Sequence, residues 1–125
     1  MRDVLLVGCG GFLGAVMRYG MSLMIAPVGA VRFPMATLVV NVTGSLVIGF
    51  VAGWGERTDL LSPAMRLLLM TGILGGYTTF SAFALESQTL LRNQAVAGAI
   101  LNVMAHVVLG LLAVVAGHRL ANLGA

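Results

Sequence analysis

The sequence predicts an all-α integral membrane protein with four transmembrane helices. The 125-residue chain is 59% hydrophobic and only 9% charged, and its mean hydropathy is +1.03. Soluble domains carry about 25% charged residues, so these few charges could not cover a water-soluble surface. The charges also fall between four apolar stretches, each close to the roughly 20 residues that cross a bilayer as a helix.

The predicted helices cover about 4–25, 35–54, 65–91 and 95–117, which leaves only short loops between them. Short loops make consecutive helices antiparallel neighbours. We therefore expect one transmembrane domain over 1–125.

Several other classes of protein are excluded by the same sequence. Cys9 is the only cysteine, which excludes a disulfide framework. The net charge of +3 comes from scattered Arg without a basic cluster, so no nucleic-acid partner is expected. Glycines from Gly8 to Gly14 resemble a dinucleotide-binding turn, but no acid between Asp3 and Glu56 could bind the ribose. The apolar run before Cys9 is too short for a lipoprotein signal, and we expect no enzymatic activity.

The glycines have a simpler explanation in helix packing. The chain holds 17 of them, and three pairs are spaced four apart: Gly10 with Gly14, Gly49 with Gly53, and Gly72 with Gly76. Small residues at this spacing let membrane helices approach closely. Four tightly packed helices leave no room for a pore within one chain, so a conduction pathway would lie between copies.

The distribution of Arg predicts how the chain inserts. Near the helix ends, four Arg lie on the side of the membrane that holds the N-terminus, and three lie on the opposite side. The four are Arg2, Arg57, Arg66 and Arg119, and the three are Arg18, Arg32 and Arg92. Because the Lys/Arg imbalance sets topology, a difference of one favours insertion in both orientations. An antiparallel homodimer then becomes possible; the alternative is a single orientation set by one Arg.

Polar residues inside the predicted helices point to a site, because they are costly in hydrocarbon. Thr37, Asn41 and Ser45 are spaced four apart and form one stripe on the second helix. The Asn41 amide could hold a partly dehydrated ion, or it could equally well only join two helices. On the fourth helix, Asn102 and His106 are also four apart, and for His106 a packing role is favoured.

The third helix is predicted to break in mid-membrane at 75–79, where two glycines precede Tyr77 and two threonines. Irregular backbone at that depth lines a cavity or is buried in protein, and its exposed groups bind ions. Phe80 and Phe83 follow and face the same way. Their positive ring edges could contact a small anion, and their faces a cation, although core packing is the usual role of such a pair.

The sign of a transported ion follows from an imbalance of charge. Glu86 is the only acid within the predicted helices, whereas cation pathways often use acidic rings. Arg18 could attract anions into a vestibule, or it could snorkel to the interface. These residues favour an anion.

Three motifs make the chain resemble the CrcB/Fluc fluoride channels over nearly its whole length. They are Gly10-Gly11-x-x-Gly14-Ala15-x-x-Arg18-Tyr19, Thr37-Leu38-x-Val40-Asn41-x-x-Gly44, and Gly72-x-x-Gly75-Gly76-Tyr77-Thr78-Thr79-Phe80-Ser81-x-Phe83. The resemblance implies a four-helix subunit of an antiparallel, dual-topology homodimer in the inner (plasma) membrane. Such a dimer passes fluoride passively through two interfacial pores and so reduces fluoride toxicity.

The resemblance also implies roles for individual residues. Asn41, Phe80 and Phe83 would line the fluoride pathway, with Thr79 and Ser81 as hydroxyl contacts. The backbone carbonyls of Gly75 and Thr78 from both subunits would bind one structural sodium ion. The chain departs from the family pattern at Ala36, Ala82, Gly110 and Val114, and the last two put a polar track on the fourth helix in doubt.

Two other functions remain open from the sequence. A small multidrug or cation exporter also uses four helices and dual topology, but it would need a carboxylate in the first helix. A membrane subunit that only binds a partner would need neither a polar stripe nor a broken helix, whereas the sequence predicts both.

Overall fold

The described residues of the computed structural model are 1–25, 33–58 and 61–123, and they contain helices but no strand. Two long helices come first, α1 (Arg2–Met24) and α2 (Met35–Arg57). The third span runs over Pro63–Arg92 and consists of α3 (Pro63–Arg66), a π-helix (Leu67–Leu74), α4 (Gly75–Tyr77) and α5 (Phe80–Arg92). The last helix is α6 (Val96–Asn122).

Four helical segments, of 23, 23, 30 and 27 residues, are long and apolar enough to cross a membrane. A helix of 23 residues is about 34 Å long at 1.5 Å per residue, which exceeds the hydrocarbon thickness of about 30 Å. Large apolar side chains such as Phe12 and Leu111 are exposed on the outside of the bundle, where lipid would surround them. The predicted all-α, multi-pass membrane fold is confirmed.

The largest differences from the predicted bounds are at the C-terminal ends of α2 and α6. Helix α2 continues three residues beyond the predicted end at 54, and α6 continues five beyond 117. The two extensions are joined, because the Arg57 guanidinium donates a hydrogen bond of 3.0 Å to the carbonyl of Ala121. Polar residues ended the hydropathy pattern there, but they do not end a helix that rises out of the bilayer. The loop predicted at 26–34 lies largely outside the described residues, as do Arg32 and Asp59.

Helix α2 packs most extensively against α6, along a seam of small residues. A Cβ atom at Gly49 would strike the Val114 carbonyl, and one at Gly117 would strike the Leu46 carbonyl and lie 2.8 Å from the Phe50 nitrogen. No side chain larger than hydrogen fits at either position. The glycines therefore set the distance between these helices, as small residues do in membranes.

Helix α1 packs against the π-helix and α4 through a second seam. A Cβ at Gly10 would lie 2.9 Å from the Cα of Gly72, and one at Gly14 would strike the Ile73 carbonyl and lie 2.7 Å from the Tyr77 nitrogen. The glycines that resembled a dinucleotide-binding turn thus belong to a helix, and Gly10 and Gly14 among them serve packing. The sequence did not predict the π-helix that forms the other side of this seam.

Candidate functional site

Two residues leave the helical conformation between α4 and α5. Thr78 has φ −79° and ψ 157°, and Thr79 has φ −149° and ψ 118°, so both are extended. The Thr79 hydroxyl caps α5 by accepting a hydrogen bond of 3.3 Å from the nitrogen of Ala82. Gly75 and Gly76 remain helical. Within the predicted interval 75–79, the irregular residues are therefore the β-branched pair and not the glycines.

Asn41 holds this irregular backbone in place from α2. Its Oδ1 accepts a hydrogen bond of 2.8 Å from the Thr79 nitrogen, and its Nδ2 donates one of 3.0 Å to the Thr79 carbonyl. The amide thereby satisfies both backbone groups of a residue that has left the helix. An Asn side chain has two N–H donors, so one donor on Nδ2 remains for another partner.

The two hydrogen bonds between Asn41 and Thr79, which we call the clamp, also leave a carbonyl of the preceding turn without its usual donor. In a continuous helix, the Thr79 nitrogen would donate to Gly75 four residues earlier, but here it donates to Asn41. Among the described residues, no turn, loop or cap hydrogen bond is accepted by the Gly75 carbonyl or by the Thr78 carbonyl. Both oxygens are therefore available to a donor or a cation.

A groove of about 400 Å³ opens beside the irregular residues. It brings together six of the residues predicted from the sequence: Asn41, Gly75, Thr78, Thr79, Phe80 and Phe83. Ser45 and His106, noted in the sequence as members of helical stripes, also line it. None of the residues lining the groove is acidic.

Two predicted residues lie away from the groove wall. Ser81 is exposed and reaches the site through its hydroxyl, 3.3 Å from that of Thr79. Arg18 lies near the end of α1 and does not line the groove. The structure therefore groups Ser81 with the site indirectly and leaves Arg18 apart from it.

The two phenylalanine rings differ in their surroundings. Phe80 is 78% exposed, so it does not fill the core of its own chain. Its ring centroid is 5.4 Å from that of Phe83, at an interplanar angle of 59°. Phe83 is half-buried and lies against the His106 ring, with centroids 4.5 Å apart. The two rings are tilted relative to each other, and both line the groove.

Partly buried hydrogen bonds join side chains of α5 to those of α2 and α6. The Thr37 hydroxyl donates to Glu86 over 2.6 Å, and Asn102, which is 0% exposed, donates to the Ser87 hydroxyl over 2.9 Å. His106 Nδ1 lies 2.9 Å from the Asn102 carbonyl. Because a carbonyl only accepts, Nδ1 carries a proton.

The sequence did not predict the hydrogen bond between Thr37 and Glu86. The pairing of Glu86 with Thr37 joins residues 49 apart, and no local spacing indicates such a contact. The only signal for it was that Glu86 is the sole acid within the four predicted helices. The packing role favoured for His106 agrees with its backbone hydrogen bond and its contact with Phe83. Its Nε2, however, is buried without a hydrogen-bond partner among the described residues, so the ring is not a fully satisfied packing group.

Comparisons with known proteins agree on one family. The model of the family described as CrcB-like protein, Camphor Resistance (CrcB), matches residues 5–118. The chain is 47% identical over 120 residues to the fluoride-specific ion channel FluC of Rhizobium meliloti (strain 1021), covering 96% of each chain. It is 45% identical over 123 residues to the protein of that name from Chlorobaculum tepidum, covering 98% of this chain and 97% of the relative.

A third relative, the fluoride-specific ion channel FluC of Chlorobium chlorochromatii (strain CaD3), is 52% identical over 90 residues, or 72% of this chain and 69% of the relative. These matches extend well beyond the three motifs that carry the resemblance. The chain belongs to the CrcB family.

Proposed function

We propose that this protein is a fluoride-selective channel that lets fluoride leave the cell passively and so reduces its toxicity. The observation that carries the proposal is the groove in which a free Asn41 N–H, the Thr79 region and the rings of Phe80 and Phe83 meet without an acidic side chain. Relatives that are 45–47% identical over nearly the whole chain are named fluoride-specific ion channels.

The chemistry of the groove suits a small, strongly hydrated anion. Such an ion gives up water only where hydrogen-bond donors and electropositive groups replace it. The second N–H of Asn41 supplies a donor, and the edges of aromatic rings carry partial positive charge. The Thr79 and Ser81 hydroxyls supply further contacts near the same point. Arg18, which does not line the groove, would attract anions into a vestibule.

An antiparallel, dual-topology homodimer would complete this pathway. The groove is open along one side of the subunit, and Phe80 is largely exposed there. Polar backbone open to hydrocarbon is not tolerated in a bilayer, so a second copy is the cover that we propose. The near balance of Arg between the two sides permits the opposite orientation that such a partner needs.

We place the protein in the inner (plasma) membrane, with the irregular residues of the third span at mid-membrane. Thr78 and Thr79 lie near the middle of Pro63–Arg92, which supports a break at that depth. There the groove would connect the two aqueous sides.

The carbonyls of Gly75 and Thr78 suit a structural sodium ion. In membrane proteins, sodium is bound by the carbonyls of unwound backbone. The carbonyls of Gly75 and Thr78 accept no turn, loop or cap hydrogen bond in the described parts of the chain. Gly75 is also exposed, as a residue shared between two subunits would be. When bound, the ion supplies a positive charge that joins the two copies.

Fluoride efflux from liposomes tests the function. Purified protein is reconstituted with internal potassium fluoride or potassium chloride, and efflux is followed with ion-selective electrodes after valinomycin is added. We expect rapid fluoride efflux, little chloride efflux, and no need for a pH gradient. Efflux that depends on a pH gradient would instead indicate an exporter, and no efflux of either ion would indicate a partner subunit.

A further inference from the structure

Ser45 differs in its hydrogen bonding from most Ser and Thr residues of the spans, and from Thr71, whose hydroxyl also has no partner among the described residues, in being half-buried at the groove and not exposed. Six Ser and Thr residues donate to the carbonyl four residues earlier, which is the common way to satisfy a hydroxyl in a helix. They are Ser22, Thr43, Thr58, Thr78, Ser87 and Thr89. Ser45 is helical and half-buried, but its hydroxyl has no hydrogen-bond partner in the described parts of the chain.

The contrast is sharper within the polar stripe of α2. Thr37 donates to Glu86, and Asn41 is engaged with the Thr79 backbone. Of the three hydroxyls that line the groove, Thr78 donates to the Leu74 carbonyl, and Thr79 lies 3.3 Å from the Ser81 hydroxyl. Ser45 is thus the one groove hydroxyl that has no hydrogen-bond partner among the described residues.

The space in front of Ser45 exists because α6 has a glycine opposite it. A Cβ built at Gly110 would lie 3.7 Å from the Ser45 Oγ, an ordinary van der Waals distance, with no other atom within 4 Å. The other α6 glycine that faces α2 is different, since a Cβ at Gly117 would strike the Leu46 backbone. Gly110 therefore leaves open volume and does not serve close packing.

We propose that Ser45 is a further pathway residue that donates a hydrogen bond to the dehydrated anion, with Gly110 providing the room. This inference rests on the proposed function. Ser45 lies one helical turn beyond Asn41, about 6 Å along α2 at 1.5 Å per residue. An anion leaving the Asn41 donor would meet the Ser45 donor next, so one side of the pathway would be built by α2.

A rescue across the groove tests the proposal. Ser45→Ala should lower fluoride efflux from liposomes about tenfold or more, the effect of losing one hydrogen bond to a charged group. Gly110→Ser in the same chain places a hydroxyl in the same space from the opposite helix, and it should restore efflux to within about threefold of wild type. Thr89→Ala, which removes an exposed hydroxyl bonded to Leu85, is the matched control and should leave efflux unchanged.

Each result has a distinct meaning when the dimer is checked by gel filtration. Unchanged efflux in Ser45→Ala overturns the role of Ser45. If Ser45→Ala lowers efflux and the added Gly110→Ser does not restore it, the proposal that a hydroxyl in this space donates a hydrogen bond to the anion is overturned. If wild type and Thr89→Ala both lack fluoride efflux, the proposed function itself has failed.

Discussion

Asn41→Asp is the most direct test of the site, because it changes one nitrogen to oxygen and keeps the size of the side chain. The retained Oδ1 can still accept from the Thr79 nitrogen, as it does over 2.8 Å. The bond from Nδ2 to the Thr79 carbonyl, 3.0 Å long, would become a contact between two acceptors. The second N–H, which we assign to the anion, would also be lost.

The expected effect on transport is larger than that on stability. A lost hydrogen bond of this kind costs roughly 1 kcal/mol, which the fold should survive. A carboxylate about 5 Å from a passing anion, at an effective dielectric constant of about 20, repels it by roughly 3 kcal/mol. At about 1.4 kcal/mol for each factor of ten, fluoride flux should fall by more than about a hundredfold.

Fluoride efflux from liposomes and gel filtration of the dimer measure the two effects together. Asn41→Ser is the companion variant, because it removes both bonds to Thr79 without adding charge. We expect Asn41→Ser to retain more flux than Asn41→Asp. Equal losses in the two variants would assign the effect to the loss of the Nδ2 group, which both variants share, and not to the added negative charge. Flux within about twofold of wild type in Asn41→Asp, with an intact dimer, would show that Asn41 does not line the pathway.

Three further predictions concern the rings, the topology and the seam. Phe80→Ile and Phe83→Ile, tested singly, should keep the melting temperature and strongly lower fluoride flux in at least one case; normal flux in both would refute contact between ring and ion. Two Arg added to the loop around Arg57 should force one orientation, seen as C-terminal reporter fusions on one side, whereas wild type found on one side only would refute dual topology. Gly117→Ala should lower the melting temperature, since overpacking costs about 1–3 kcal/mol, while Gly110→Ala should not; equal melting temperatures would contradict the seam.

Hydropathy was enough to predict the four spans, because the length and apolarity of a crossing helix are properties of the local sequence. The position of the irregular residues was predicted only to an interval. Gly75 and Gly76 weaken a helix in isolation, but a Cβ at Gly76 would lie 2.9 Å from the Cα of Gly11. That packing contact keeps Gly76 helical, and its partner lies too far away in the sequence for any local pattern to reveal it.

The polar stripe on α2 illustrates a second limit of local pattern. Spacing of four correctly placed Asn41 and Ser45 on one wall of the groove, since that periodicity belongs to the helix itself. Which atoms each side chain bonds depends on residues 38 positions away for Asn41 and 49 for Thr37. The sequence therefore grouped the site residues but could not distinguish an engaged donor from a free one.

The choice that the sequence left open for Asn41, between joining helices and holding an ion, is not an exclusive one. Two hydrogen bonds to Thr79 show that it joins α2 to the third span. The same bonds fix the plane of the amide, because a carboxamide is rigid and both its oxygen and its nitrogen are engaged. The remaining N–H then has a set direction without any further ordering cost, which is the preorganisation that a site for a dehydrated ion requires. The two hydrogen bonds to Thr79 would thus make the free donor of Asn41 more effective in the ion-holding role that we propose for it.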